Sequence, residues 1–181
     1  MSLVDNVIAA APPAQPSERR IKARSKARDL GQHCEWLRLV VEQHEQIERA
    51  IEQLAAAPDG ASARRTQQAL ARMLTSHSAA EEAVLYPAMA NLRQKAHAMA
   101  AFSNQARVKV HLAALETLEP RTAAYRAALD RLKEVVSEHV FDEECSWFPA
   151  LARTDDAALQ ARLSARYVAE FERCLGAAGF K

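Results

Sequence analysis

Two stretches of the sequence each place a histidine and a glutamate four positions apart, just ahead of an aromatic–proline step. They read HSAAEEAVLYPAM from His77 and HVFDEECSWFPAL from His139, and they share the pattern H-x-x-x-E-E-x-x-[LW]-[YF]-P-A-[ML]. Because residues i and i+4 lie on one face of a helix, Glu81 joins His77 and Glu143 joins His139. Imidazole and carboxylate groups without a thiolate favour iron, then manganese or zinc, and disfavour a structural zinc site.

Two further histidines stand near the middle of two other amphipathic segments. In all four segments apolar residues recur every three or four positions, and the polar residues fall within these apolar stripes. A buried carboxylate without a partner is costly, so carboxylates and imidazoles at one depth predict a cation among them. The donors suit a pair of first-row metal ions, with bridging carboxylates and open coordination positions. The candidate metal ligands are His44, His77, Glu81, His111, His139 and Glu143.

Simpler interpretations exist for the individual residues. A lone core histidine is more often hydrogen-bonded than metal-bound, and a single HxxxE pair can be an intrahelical hydrogen bond. Two matching pairs together with His44 and His111 favour the metal site. Glu82 and Glu144 are expected to face solvent or form salt bridges, although either could bond to a ligand histidine.

The elements that must position these residues are long helices. We predict four amphipathic helices over about 32–57, 62–86, 103–118 and 122–148, and a fifth over 156–174. Pro87 and Pro149 are expected to end or kink their helices, and residues 91–102 to be irregular. Short connections imply antiparallel neighbours. The predicted fold is therefore all-α, an antiparallel up-and-down four-helix bundle with an additional C-terminal helix.

The predicted organisation is a flexible basic arm over residues 1–31, the metal-binding bundle over 32–152, and a C-terminal helix packing on the bundle over 153–181. The arm holds six basic residues between Arg19 and Arg28. No aromatic residue interleaves with them to stack on bases, so a solvated helix or leader is favoured over a nucleic-acid or membrane arm.

Composition limits the class of protein. The chain has 181 residues, only four glycines and a formal net charge of +1, which suits one helical domain and gives no general reason to expect nucleic acid. Its three cysteines form no CxxC motif, and no segment resembles a membrane span or secretory signal, so a cytoplasmic protein is expected. The sequence does not determine the oligomeric state, and a homodimer is one possibility.

These motifs resemble the hemerythrin-like family, the HHE cation-binding domain, over roughly residues 32–152. The resemblance implies a four-helix bundle around a non-haem, oxo-bridged di-iron centre. The family's ligands would fall on the six residues above, with Glu81 and Glu143 as bridges. Oxygen-carrying members have a second histidine in the third helix, where this chain has Arg107 or Leu115. They also have an aspartate five positions after the last histidine, where this chain has Glu143 at four and Glu144 at five.

These departures disfavour reversible oxygen transport and favour the bacterial relatives that handle iron, oxygen, nitric oxide or peroxide. The leading hypothesis is a di-iron protein that binds or reduces a small diatomic or peroxide ligand. The alternatives are a non-catalytic iron or oxygen sensor, and a structural stress protein with the metal motif. The sequence does not decide between enzyme and sensor.

Overall fold

The computed structural model describes residues 15–92 and 94–177, which are mostly helical and contain no strand. This confirms the all-α prediction. No helix in these ranges combines the length and apolar character that a membrane crossing requires. The elements are α1 Ser17–Gly31, α2 Glu35–Ala55, α3 Gly60–Ala80, a first π-helical turn Glu81–Leu85, α4 Tyr86–Asn91, α5 Lys95–Glu116, α6 Ala123–Asp142, a second π-helical turn Glu143–Trp147, α7 Phe148–Ala152, and α8 Ala157–Ala177.

Side-chain caps fix where two of the core helices begin. Asp59 accepts a hydrogen bond from the backbone N–H of Ser62 at 2.7 Å, which starts α3. Thr122 accepts one from the N–H of Tyr125 at 3.1 Å, which starts α6. Both caps satisfy a backbone donor that a helix would otherwise leave free at its first turn.

Two apolar core clusters lie on either side of a polar layer. One contains Trp36, Tyr86, Phe148 and Tyr167, and the other contains Ile47, Leu70 and Leu132. Along α2 the change from the first cluster to the second occurs at His44, and along α3 the reverse change occurs at His77. The polar layer is therefore a level within the core, with apolar packing above and below it.

The sequence-based expectation was that the two prolines end or kink their helices; each is instead preceded by a wider turn, and the helix does not end there. The backbone N–H of Tyr86 donates to the carbonyl of Glu81, five residues back, and that of Phe148 donates to the carbonyl of Glu143. Proline lacks an N–H and its ring clashes with the carbonyl four residues before it, so a wider turn ahead of Pro87 and Pro149 relieves the conflict. The helix then continues as α4 or α7.

The stretch over residues 91–102 is mostly helical, where the sequence was predicted to be irregular. Helix α5 begins at Lys95, eight residues before the predicted start at residue 103. Its first turns are rich in alanine, which favours helix without an amphipathic pattern. As a result, the level of α5 that faces the polar layer differs from the predicted one.

Helix α1 packs on the bundle, whereas residues 1–31 were predicted to be a flexible arm; residues 1–14 lie outside the described ranges. Ala23, Ala27 and Gly31 are buried, and a Cβ on Gly31 would meet the backbone of Arg38 at 3.1 Å. The basic residues of α1 face acidic residues of α2: Arg20 and Arg24 bind Glu48. These ion pairs and the close packing of small residues hold α1 in place.

Helix α8 packs against α2, α3 and the first π-helical turn. Leu163 and Tyr167 are buried, and Leu159 and Phe171 are partly buried against the first core cluster. These four residues recur every four positions, so they lie along one side of α8.

Candidate metal centre

Five of the six predicted ligands meet in the polar layer. Nε2 of His77 lies 3.1 Å from Oε1 of Glu81, and Nε2 of His44 lies 3.2 Å from Oε2 of Glu143. Nε2 of His139 lies 3.4 Å from Oε1 of Glu143. Each of the five residues is at most 4 % exposed. Four of them, His44, His77, Glu81 and Glu143, bring ligand atoms within 4.8 Å of one another.

Three of the five separations between a histidine Nε2 and a carboxylate oxygen in the layer match those around a first-row metal ion, and the other two, at 3.9 and 4.0 Å, are longer. Metal–ligand bonds of about 2.0–2.2 Å at angles between octahedral and tetrahedral place neighbouring donors roughly 2.8–3.6 Å apart. The three closest nitrogen–oxygen pairs, at 3.1, 3.2 and 3.4 Å, fall in this range. These pairs are therefore spaced as ligands of a shared ion would be.

Several buried donor atoms in the layer have no hydrogen-bond partner among the described residues. They include Nε2 of His44, Nε2 of His139, Oε1 of Glu81 and Oε2 of Glu143. An unpaired buried carboxylate oxygen is costly, so a cluster of such atoms aimed at one another needs a cation. The residues present therefore fit a metal.

The carboxylates divide their oxygens between two groups of histidines. Oε1 of Glu81 faces His77 and, at 3.9 Å, His44, while its Oε2 faces His139 at 4.0 Å. Oε2 of Glu143 faces His44, while its Oε1 faces His139. The layer thus has a four-donor end, formed by His44, His77, Glu81 Oε1 and Glu143 Oε2. It also has a three-donor end, formed by His139, Glu81 Oε2 and Glu143 Oε1.

His111, the sixth predicted ligand, is buried but is not brought to this group. Between the described residues, no hydrogen bond or ion pair joins it to the five others. Asn104 bonds to Asp142 and Arg107 to Glu138, so α5 and α6 run antiparallel and His111 is level with Glu134. That is five residues from His139, or about 7.5 Å along the helix axis. The neighbouring charges of Arg107 and Arg131 join burial in lowering the pKa of His111.

On α5 the change between the two core clusters falls at Gln105, which is 1 % exposed. This residue, with Nε2 bonded to the hydroxyl of Ser78, occupies the level that the sequence assigned to His111. The assignment followed from starting α5 too late.

The chain matches the family described as Hemerythrin HHE cation binding domain over residues 37–151. The chain belongs to this family. No match was found among curated proteins or among solved structures. The hemerythrin HHE domain therefore covers α2 to α7 and includes all five converging residues, while α1 and α8 lie outside it.

Both flanking helices nevertheless reach the HHE centre. Nδ1 of His44 bonds at 3.0 Å to Glu144, whose carboxylate also accepts hydrogen bonds from Arg24 of α1. Nδ1 of His77 lies 2.9 Å from Oε1 of Gln43 and 3.1 Å from the hydroxyl of Tyr167 of α8. With Nδ1–H directed at these oxygens, Nε2 of each ring faces the centre in its ligating form.

The sequence allowed Glu144 a bond to a ligand histidine, but it gave no signal for Arg24, Gln43 or Tyr167. Their roles depend on helix packing that no spacing within the sequence displays. The equivalent of Glu144 in the first motif, Glu82, instead binds Lys109 at the surface at 2.7 Å.

Tyr86 adds a hydroxyl to the three-donor end. It lies 2.8 Å from Oε1 of Glu143 and 3.3 Å from Oε2 of Glu81, and its ring is buried. In a regular α-helix the fifth residue after Glu81 would point elsewhere, but the π-helical turn brings it back to the same face. With regular α-helical spacing Tyr86 would not face the centre, so its hydroxyl could not be assigned to the centre from the sequence.

Burial within the HHE centre lowers the pKa values of His77 and His139 and so favours neutral imidazoles at these two positions. Burial and the neighbouring His44 lower the pKa of His77 well below its usual value. Burial opposes protonation of His44 too, but Glu143, Glu144 and Glu81 outweigh it and raise its pKa. Burial and repulsion from Glu143 raise the pKa of Glu81 to about 8. A cation at the centre would replace the proton of His44 and neutralise both carboxylates.

Proposed function

We propose that this chain holds two iron ions and binds or reduces a small oxidant: oxygen, peroxide or nitric oxide. The observation that carries the proposal is the division of the two carboxylates between the four-donor end and the three-donor end. A carboxylate whose oxygens face different histidines is placed to bridge two ions. Manganese or zinc can occupy the same kinds of donor.

The two ends differ in how much protein they offer. His44 and His77 would hold one ion together with an oxygen from each carboxylate, and only His139 would join the carboxylates at the other. The three-donor end therefore leaves more coordination positions for a small ligand, and His111 does not fill them. We infer that the small ligand binds at the three-donor end, beside Tyr86.

A pair of ferrous ions, when bound, supplies open coordination positions and up to two electrons for such a ligand. The side chains of the centre would hold the ions and orient the ligand atoms. The rings of His44, His77 and His139 direct Nε2 into the centre. Glu81 and Glu143 each contribute one oxygen to the four-donor end and one to the three-donor end. The hydroxyl of Tyr86 is placed to donate a proton at the three-donor end. The apolar clusters above and below exclude bulk water.

We also infer the finer arrangement that the sequence predicts: α2, α3, α5 and α6 as an antiparallel four-helix bundle, with α8 packed outside it. The antiparallel register of α5 and α6 supports this arrangement. The three cysteines are free, which suits a reducing compartment, and we propose the cytoplasm.

The test is metal analysis of protein purified from cells grown with iron, combined with its optical spectrum. We expect close to two irons per chain and absorption from oxo-bridged ferric ions. Peroxide added to the reduced protein should then be consumed with oxidation of the iron. Protein that contains no metal, or zinc alone, would refute the proposal.

A sensor is the second candidate, and one observation favours it specifically. The outer nitrogens of His44 and His77 connect the centre to α1 and α8, which lie outside the HHE domain. Metal binding would therefore alter the packing of both flanking helices. Hydrogen exchange with and without metal distinguishes the two functions. A sensor should lose protection in α1 and α8 without metal, while α5 stays protected, and an oxidant-reducing protein that does not signal should show no such selectivity.

A further inference from the structure

Helix α5 exposes large apolar side chains on its outer face. Met99 is 73 % exposed, Phe102 43 % and Val110 37 %, and these are three of the five exposed large hydrophobic residues in the described ranges. The other two, Ile21 and Leu175, lie on α1 and α8. Contiguous apolar surface of this kind marks an interaction site more often than scattered single residues do.

These residues form one stripe with two alanines. At about 100° per residue, Met99, Phe102, Val110 and Ala113 all point within about 40° of the direction of Ala106. All five are exposed. The opposite face of α5 buries Ala101, Gln105 and Val108 in the bundle. A helix that is apolar on both sides is normally buried on both sides.

The spacing of the stripe reads the same in both directions. From Met99 the steps are three, four, four and three residues, with Ala106 at the centre. An antiparallel copy of α5, related by a twofold axis through Ala106, would therefore place Met99 opposite Ala113. It would also place Phe102 opposite Val110. Each large side chain would then meet a smaller one, and the smallest residue would lie where the helices cross.

We propose that this face of α5 binds a second copy of the chain, forming an antiparallel homodimer with Ala106 on the twofold axis. Polar residues at the edges agree with this occupant. Lys95, near the start of one helix, would lie beside the end of the partner helix, which carries Glu116, so opposite charges would meet. Because the two helices are antiparallel, their dipoles would also oppose each other. Ser103 comes opposite Lys109 across the axis.

The proposed interface lies directly over the three-donor end. The ring of Phe102 contacts that of Tyr86 edge-on, with centroids 5.0 Å apart, and Tyr86 bonds to Glu143. A partner chain on α5 would cover Phe102. The dimer itself does not depend on the metal, so it can be tested separately from the proposed function.

The first experiment measures the mass of the full chain by sedimentation over roughly 1–500 µM, the range suited to a small interface. Wild-type protein should shift from monomer to dimer with concentration. Ala106→Glu, which puts two carboxylates together on the axis, should remain monomeric at every concentration with unchanged helicity. The matched control, Ala100→Glu, adds the same charge to an exposed position on another side of α5 and should dimerise like wild type. A wild-type monomer throughout, or a dimer that persists in Ala106→Glu, would overturn the proposal.

Oxidative cross-linking tests the orientation in a background with Cys145→Ser and Cys174→Ser, where the buried Cys34 remains. The double variant Met99→Cys with Ala113→Cys should form a disulfide-linked dimer, because those positions face each other across the axis. Met99→Cys alone should not. Efficient cross-linking of the single variant would indicate parallel helices and contradict the proposed arrangement.

Discussion

The hydroxyl of Tyr86 lies 2.8 Å from Oε1 of Glu143, although 57 residues separate the two in the chain. This contact joins the two copies of the repeated motif at the three-donor end. The second motif has Phe148 at the position of Tyr86, and its ring packs against Trp36 with centroids 5.5 Å apart. The repeat is therefore chemically asymmetric, with a proton donor on one side only.

Tyr86→Phe should keep the metal and slow the reaction with peroxide. The ring stays in the core, but the proton donor next to the carboxylates is lost, so we expect the rate to fall about 100-fold or more. Stopped-flow oxidation of the reduced protein measures this. The control is Tyr125→Phe, which removes a buried tyrosine hydroxyl bonded to Gln67 away from the centre. An equal loss of rate in both variants would argue against a role for Tyr86.

His139→Ala should lower the metal content, whereas His111→Ala should leave it unchanged. His139 is the only histidine at the three-donor end, so His139→Ala should reduce bound iron to half or less. His111 lies outside the group, so His111→Ala should retain the wild-type iron content. Metal analysis with circular dichroism separates ligand loss from unfolding. Loss of iron from folded His111→Ala would show that His111 is a ligand after all.

Glu144→Gln should weaken metal binding without removing a ligand. The amide is a weaker partner for Nδ1 of His44, and it leaves Arg24 with the carboxylate of Glu48 but without that of Glu144, so we expect roughly 10- to 100-fold lower affinity. Competition with a chelator measures the affinity. The matched control is Glu82→Gln, the same position in the first motif, where the carboxylate binds only Lys109 at the surface. Equal effects of the two substitutions would contradict the assigned role of Glu144.

The Arg24–Glu48 ion pair should make the stability of the fold depend on pH. Burial of Glu48 would raise its pKa, but the hydrogen bond and charge of Arg24 outweigh burial and lower it. A lowered pKa in the folded state stabilises the fold above the unfolded pKa of about 4.3 and stops doing so as pH falls through the folded value. Glu48→Gln should therefore cost about 1 kcal/mol at pH 7, and the difference should shrink below about pH 4.

Urea unfolding at pH 7 and at a pH below about 4 measures this difference in the free energy of unfolding. Chelator is present so that metal release does not contribute. Glu42→Gln serves as the control, because its partner Arg38 is half exposed and the pair should contribute less. A difference between wild type and Glu48→Gln that is the same at both pH values would rule out this ion pair as the source.

The sequence was sufficient for what depends on spacing within one helix. Burial of His44, His77 and Glu81 follows from the apolar stripes, because a position in a stripe faces the core whichever helix lies opposite. The level at which α5 meets the other helices does not follow, since it depends on where that helix begins. Alanine-rich turns without periodicity concealed this start, and His111 was placed about one and a half turns too close to the centre.

Contacts between different helices could not be predicted from the sequence either. The C-terminal helix was predicted to pack on the bundle, but the hydroxyl of Tyr167 could be assigned to His77 only once α8 was placed. Arg24 belongs to a basic run that the sequence interpreted as solvated. Its acceptor, Glu144, is buried between helices that are distant in the sequence, so the contact could be assigned only once α1 was placed on the bundle.

In the two π-helical turns, the number of residues between the ligand glutamate and the aromatic residue determines which way the aromatic ring points. The types of the intervening residues matter less. Ala83 and Cys145, the central residues of the turns, are exposed and touch neither core cluster. Exchange of these side chains should be tolerated, whereas loss of one residue would restore α-helical phase and rotate Tyr86 or Phe148 by about 100°. The geometry of the centre thus depends partly on how many residues separate the glutamate from the aromatic residue in each motif. Two inserted positions, which a comparison of residue types would treat as filler, determine which aromatic side chains face the carboxylates.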